Sequence, residues 1–89
     1  MMSITFENPT RRFDDSINCM RFSGYDGAIE VSFFLRMEAL VKLCPKLNQS
    51  ESEILDAFDL RLKKIHKAAS KVYSRNKKSY VCTITSDDF

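Results

Sequence analysis

Residues 50–78 read SESEILDAFDLRLKKIHKAASKVYSRNKK. Ile54, Phe58, Leu62, Ile65, Ala69 and Val72 recur at spacings of three and four, and Leu55 and Tyr73 widen the stripe. That period predicts one long amphipathic helix with a single apolar face. Ser50 followed three positions later by Glu53 is a capping-box signature: each side chain can satisfy a backbone N–H that the first turn leaves unpaired. Glu51, Glu53, Asp56 and Asp59 fall early and Lys63, Lys64, Lys67, Lys71 and Arg75 fall late, the order that complements a helix dipole. Between Arg61 and Lys78 there are eight basic residues and no acid. At 100° per residue, Lys63, Lys67, Lys71 and Lys78 share one quadrant, opposite Ile65 and Ala69.

Upstream of this helix, Arg36 to Cys44 is expected to form a short helix with Leu40, Leu43 and Cys44 inward, ended by Pro45, which cannot continue the hydrogen-bond ladder. Ile17 to Ser23 and Ala28 to Leu35 alternate as strands. If Gly24-Tyr25-Asp26-Gly27 is a four-residue hairpin loop, Ser23 faces Ala28, Phe22 faces Ile29 and Met20 faces Val31 on one side, while Arg21 faces Glu30 and Cys19 faces Ser32 on the other. This register also brings Ile17 and Phe34 together on the polar side, where a second copy or a protein partner would cover them. Ser3 to Phe6 reads as a short first strand, Asn8-Pro9 as a turn, and Thr10 to Ser16 as a polar connection in which an arginine pairs locally with Asp14 or Asp15 and Phe13 folds onto the sheet, in preference to a recognition loop of Arg11, Arg12 and Phe13. Downstream, Tyr80 to Thr85 alternates as a last strand with Tyr80, Cys82 and Ile84 inward.

The resulting order is βββααβ. Helices gathered in one block beside hairpin-linked strands predict a single α+β domain over residues 1–89, a two-layer structure with an antiparallel sheet of three to four strands and a short and a long helix on one face. Its core would be Met20, Phe22, Ile29, Val31 and Phe33 under the long helix, with Phe58 at the centre. At 89 residues and 44% hydrophobic composition, such a domain buries little more than the ~60% of unfolded surface expected at 60 residues, so its stability margin is modest.

Several of these segments together carry a resemblance. ITF at 4–6, RRFDD at 11–15, MRFSGYDGAIEVSFFL at 20–35, EAL at 38–40, ILDAFDLRLKKIHKAASKVY at 54–73 and the final Asp-Phe resemble the bacterial domain of unknown function 1488. The resemblance implies a small stand-alone bacterial protein of α+β fold, and it carries no assigned activity, cofactor or site residue.

The residues themselves favour no chemistry of useful specificity. Cys19, Cys44 and Cys82 are odd in number and widely spaced, which suggests neither a disulfide framework nor a zinc site but reduced thiols in a cytoplasmic protein. His66, the only histidine, could be imagined to pair with Cys82 or Cys44 as base and nucleophile, but a half-buried ring at the edge of the apolar stripe accounts for it fully, and the cysteines fall in apolar patterns where thiols are inert. Asp26, before a glycine, reads as a turn residue. Adjacent carboxylates at Asp14-Asp15 and Asp87-Asp88 lack the fixed separation that acid–base work needs. No run approaches the ~18 apolar residues of a spanning helix. The expectation is therefore a protein that is not an enzyme, with no catalytic, metal or cofactor-binding residues and no membrane association. It would be a protein-interaction or regulatory module using Ile17 and Phe34, as a homodimer or with another protein. The alternative is weak, non-specific nucleic-acid binding, with Lys63, Lys67, Lys71 and Lys78 as phosphate contacts.

Overall fold

A computed structural model describes residues 4–48, 50–76 and 79–89. Strands β1 (Arg11–Asp14), β2 (Cys19–Asp26) and β3 (Ile29–Arg36) are followed by helices α1 (Met37–Leu43), α2 (Glu51–Leu60) and α3 (Leu62–Arg75), strand β4 (Val81–Ile84) and a 3₁₀ turn, Ser86–Asp88. The sheet runs β1-β2-β3-β4. This is the expected α+β order, with the long helix in two pieces.

The sheet is mixed, where the sequence predicted an antiparallel one. β1, β2 and β3 are antiparallel, but β4 pairs parallel with β3 through Ser32–Val81, Phe33–Cys82, Phe34–Thr83 and Leu35–Ile84. The helical block is a crossover that returns the chain to the end of the sheet at which β3 began, the connection a parallel pair requires.

The first strand is also displaced. Of the expected strand Ser3–Phe6, Ser3 lies outside the described residues and only Thr5 pairs, with Tyr25. The true β1 comes from the stretch read as a polar connection, because its inward positions are Arg11 and Phe13 and an edge strand tolerates such polarity. Arg12 does pair locally with Asp14, at 3.7 Å, and Phe13 packs on the core.

The β2–β3 register differs by four residues: Arg21 faces Phe34 and Phe22 faces Phe33, and Glu30 is opposite Tyr25. The loop is the two residues Gly27 and Ala28, with Gly27 at φ +61°. Positive φ at the first loop residue is where a two-residue hairpin calls for glycine. Tyr25 and Asp26 are thereby drawn into the strand. Because the slip is even, the sorting of faces survives: Met20, Phe22, Val31, Phe33 and Leu35 are all buried. Ile29, at the hairpin end, is half exposed instead of in the core.

Against that inner face lie Leu40 of α1, Ile54 and Phe58 of α2, and Ile65, Ala69, Val72 and Tyr73 of α3, with Cys82 and Ile84 from β4. Phe58 stands 5.3 Å from Phe22, ring to ring. Tyr80 falls before β4 and is largely exposed. The long helix is interrupted at Arg61, whose φ of −105° and ψ of 18° leave the helical region. Its N–H is shared between the Ala57 and Phe58 carbonyls, and its Nε donates to the Leu43 carbonyl at the end of α1. Ser50 Oγ accepts from the Glu53 N–H, one of the two bonds of the expected capping box; among the described residues the Glu53 side chain makes no return bond.

Candidate functional site

Lys63, Lys64, Lys67 and Lys71 are all exposed on α3. Lys64, Lys67 and Lys71 line a groove of about 360 Å³ together with Lys42 of α1, over a floor of Leu43, Ala68 and Phe89, with Asp88 at one end. Lys63 is exposed on α3 outside that lining. Lys78 lies outside the described residues. Lys42 could not be found from helical periodicity, because it reaches the groove from a different helix.

One wall of this groove is the C-terminal turn, and charge fixes it. Lys42 Nζ donates to the carbonyls of Ser86 at 3.0 Å and Phe89 at 2.9 Å. Arg75 pairs with Asp88. The Asp88 carboxylate also accepts from the Thr85 N–H, completing a capping box that opens the Ser86–Asp88 turn. Burial pushes the Asp88 carboxyl up, but the Thr85 N–H and Arg75 outweigh it and hold it below the ordinary carboxylate range. With the wall so tied, the ammonium groups of Lys64, Lys67 and Lys71 make no ion pair among the described residues.

On the opposite edge of the sheet a second cavity, of about 410 Å³, opens beside His66. The helix interruption at Arg61 sets its geometry, with Phe58 and Asp59 before the break and Leu62 and His66 after it. The imidazole stacks on Phe6, centroids 4.0 Å apart and planes 7° from parallel. Phe6 can lie there because Gly24 has no side chain: a Cβ at that position would come within 2.9 Å of Ile4 Cγ1 and Phe6 Cε1. Burial lowers the His66 pKa, which favours the neutral ring. At the rim, Arg11 Nε and Nη2 donate to the two carboxylate oxygens of Asp59 at 2.9 and 2.8 Å. The Arg11 hydrogen bond is also the main reason the Asp59 carboxyl sits low.

The structure does not bring Ile17 and Phe34 together. Ile17 sits exposed in the β1–β2 turn. Phe34 is half-buried in the open face of the sheet, with the Arg21 guanidinium 5.1 Å above its ring. The register change separates them, since Arg21 replaces Ile17 opposite Phe34. Nor does His66 meet a cysteine: among the described residues no hydrogen bond joins them, and burial pushes the thiols of Cys19 and Cys82 up, away from the thiolate. Asp26, read as a turn residue, has a further role. It accepts a 2.6 Å hydrogen bond from the buried Tyr73, tying the hairpin to α3 and pushing the phenol up to about 12.

The fold can be set beside known proteins. The family model of DUF1488, a protein of unknown function, matches residues 4–84. The chain belongs to the DUF1488 family. A crystal structure of a DUF1488 protein of unknown function from Shewanella loihica PV-4 shares 14% identity, covers 94% of this chain and 93% of its own, and superposes with a TM-score of 0.82. At that identity the likeness shows the fold alone. No curated protein matches the chain. Among the described residues of this DUF1488 chain, no helix is long and apolar enough to cross a membrane, and no group of histidine, cysteine and carboxylate side chains could hold a metal ion.

Proposed function

We propose that this DUF1488 protein is a non-enzymatic interaction module of the bacterial cytoplasm that docks an acidic segment of a partner protein in the groove between α1, α3 and the C-terminal turn. The observation that carries this reading is the combination of Lys64, Lys67 and Lys71 around an apolar floor of Leu43, Ala68 and Phe89. Clustered cations attract acidic partners and raise encounter rates. An apolar floor rewards a segment that alternates carboxylates with aliphatic side chains. A phosphate backbone presents no such side chains, and phosphate contacts alone carry no sequence information. The buried free thiols of Cys19 and Cys82 suit a reducing compartment.

Fluorescence anisotropy decides between the two occupants. A labelled peptide alternating Glu and Leu should bind more tightly than one alternating Glu and Ser at equal charge, and Lys64→Glu, Lys67→Glu, Lys71→Glu together should abolish binding. If the two peptides bind alike and a DNA duplex binds more tightly than both, the nucleic-acid reading replaces this one. In that case log affinity should fall against log salt by about 0.9 for each phosphate neutralised, and changing Lys63 should matter as much as changing Lys67 or Lys71.

A further inference from the structure

The cavity beside His66 has the features of a ligand site and plays no part in the groove. It is the most enclosed of the described cavities, and its volume of about 410 Å³ falls within the ~300–1,000 Å³ of small-molecule sites. Its walls come from separate parts of the chain: Phe6 from the N-terminal segment, Phe22 from β2, Phe58 from α2, and Leu62 and His66 from α3. Aromatic faces and edges set at such angles favour a flat ring over a flexible chain. Phe22 stands 6.1 Å from Phe6 at 44° and 5.3 Å from Phe58 at 58°.

The polar groups narrow the ligand further. The His66 ring nitrogens make no hydrogen bond to another described residue, so a neutral imidazole has one donor and one acceptor to give. At the rim, Arg11 is neutralised by Asp59, and Glu7 adds a carboxylate to the lining. An anionic ligand would therefore meet net negative charge. We propose that this cavity binds an uncharged, planar heteroaromatic molecule whose ring packs against Phe6, Phe22 and Phe58 and whose N–H is accepted by His66.

The chain contains no tryptophan, so indole fluorescence reports binding without interference from a protein indole. Titrating protein into indole should give a saturable change. Amide NMR shifts should concentrate in residues 6–11 and 58–66. 1-Methylindole, which lacks the N–H, should bind roughly five- to tenfold more weakly, the ratio expected for one hydrogen bond, and benzoate more weakly still. His66→Phe keeps a ring against Phe6 and should erase the preference for indole over 1-methylindole; Phe6→Leu should weaken both. The Lys64, Lys67, Lys71 triple glutamate variant should bind indole as wild type does, which separates this site from the groove. The proposal is overturned if indole shows no saturable binding up to its solubility limit, if the shifts fall elsewhere, if benzoate binds as tightly, or if His66→Phe retains the preference. Should Phe6→Leu fail to fold, the His66→Phe comparison decides alone.

Discussion

Two terminal segments pack on opposite sides of this fold, and they are held by different physics. On the β1 side, residues 4–6 cross Gly24 and are held by apolar contact: Phe6 lies on His66, within 6.1 Å of Phe22 and 5.8 Å of Phe33. Thr5 and Tyr25 exchange two backbone hydrogen bonds beside it. On the β4 side, residues 85–89 are held by charge, through Lys42 on two carbonyls and Arg75 on Asp88, with Phe89 packed against the core. Apolar contact leaves a partly open, ring-lined cavity. Closure by cations leaves an open groove with lysines to spare. Each edge thereby acquires a surface suited to a different kind of ligand.

The strongest way to test this contrast is to strike what both edges rest on. Phe58→Ala removes a ring that is 2% exposed at the centre of the core and should cost about 3–5 kcal/mol. Melting temperature should fall by tens of degrees, at ~4–8 °C per kcal/mol for a domain of this size, and both edges should loosen together. A shift of only a degree or two would mean that Phe58 is peripheral.

A smaller and one-sided effect should come from Gly24→Ala. The new methyl must displace Ile4 and Phe6, which should cost roughly 1–3 kcal/mol as overpacking does. NMR shifts should change at residues 4–6 and His66 and stay fixed at residues 85–89. Equal disturbance of both ends would break the comparison.

How much of this was legible in the sequence follows the same divide. The inner face could be read because burial imposes period: Ile54, Phe58, Ile65 and Val72 at helical spacing, and alternate residues along β2 and β3. An even register slip leaves that alternation unchanged, so the expected inner face holds except at Ile29, although the hairpin pairing does not. The edges could not be read, because their signals are non-local. Arg11 is a strand residue only in view of Asp59, and Lys42 is a groove residue only in view of α3. The parallel pairing of β4 depends on where a crossover delivers the chain. Gly24 offered one usable clue, a glycine inside a strand pattern, which marks close approach of another backbone or side chain.

A pH titration sharpens the β1 side alone. The folded His66 pKa lies below its unfolded value of about 6.5, so the unfolded chain binds the proton more readily. Its contribution to stability is complete above the unfolded value and is lost as pH falls through the folded one. Melting temperature should decline modestly from pH 7 to pH 5 in wild type and stay flatter in His66→Phe. The low carboxyls of Asp59 and Asp88 lose their contributions only further down, below about pH 4. Parallel curves for the two proteins across that interval would show that His66 is not desolvated.

The most direct measurement of the contrast is residue-resolved amide exchange as sodium chloride is raised from about 0.05 to 1 M, a range over which the screening length contracts severalfold. Asp88 N–H, bonded to the Thr85 carbonyl, and Phe89 N–H, bonded to Ser86, report the charge-held end; Thr5 and Tyr25 N–H report the apolar one. Exchange at Asp88 and Phe89 should quicken with salt while Thr5 and Tyr25 hold steady. Acceleration at Thr5 and Tyr25 with none at Asp88 and Phe89, or an equal response at both ends, would contradict it.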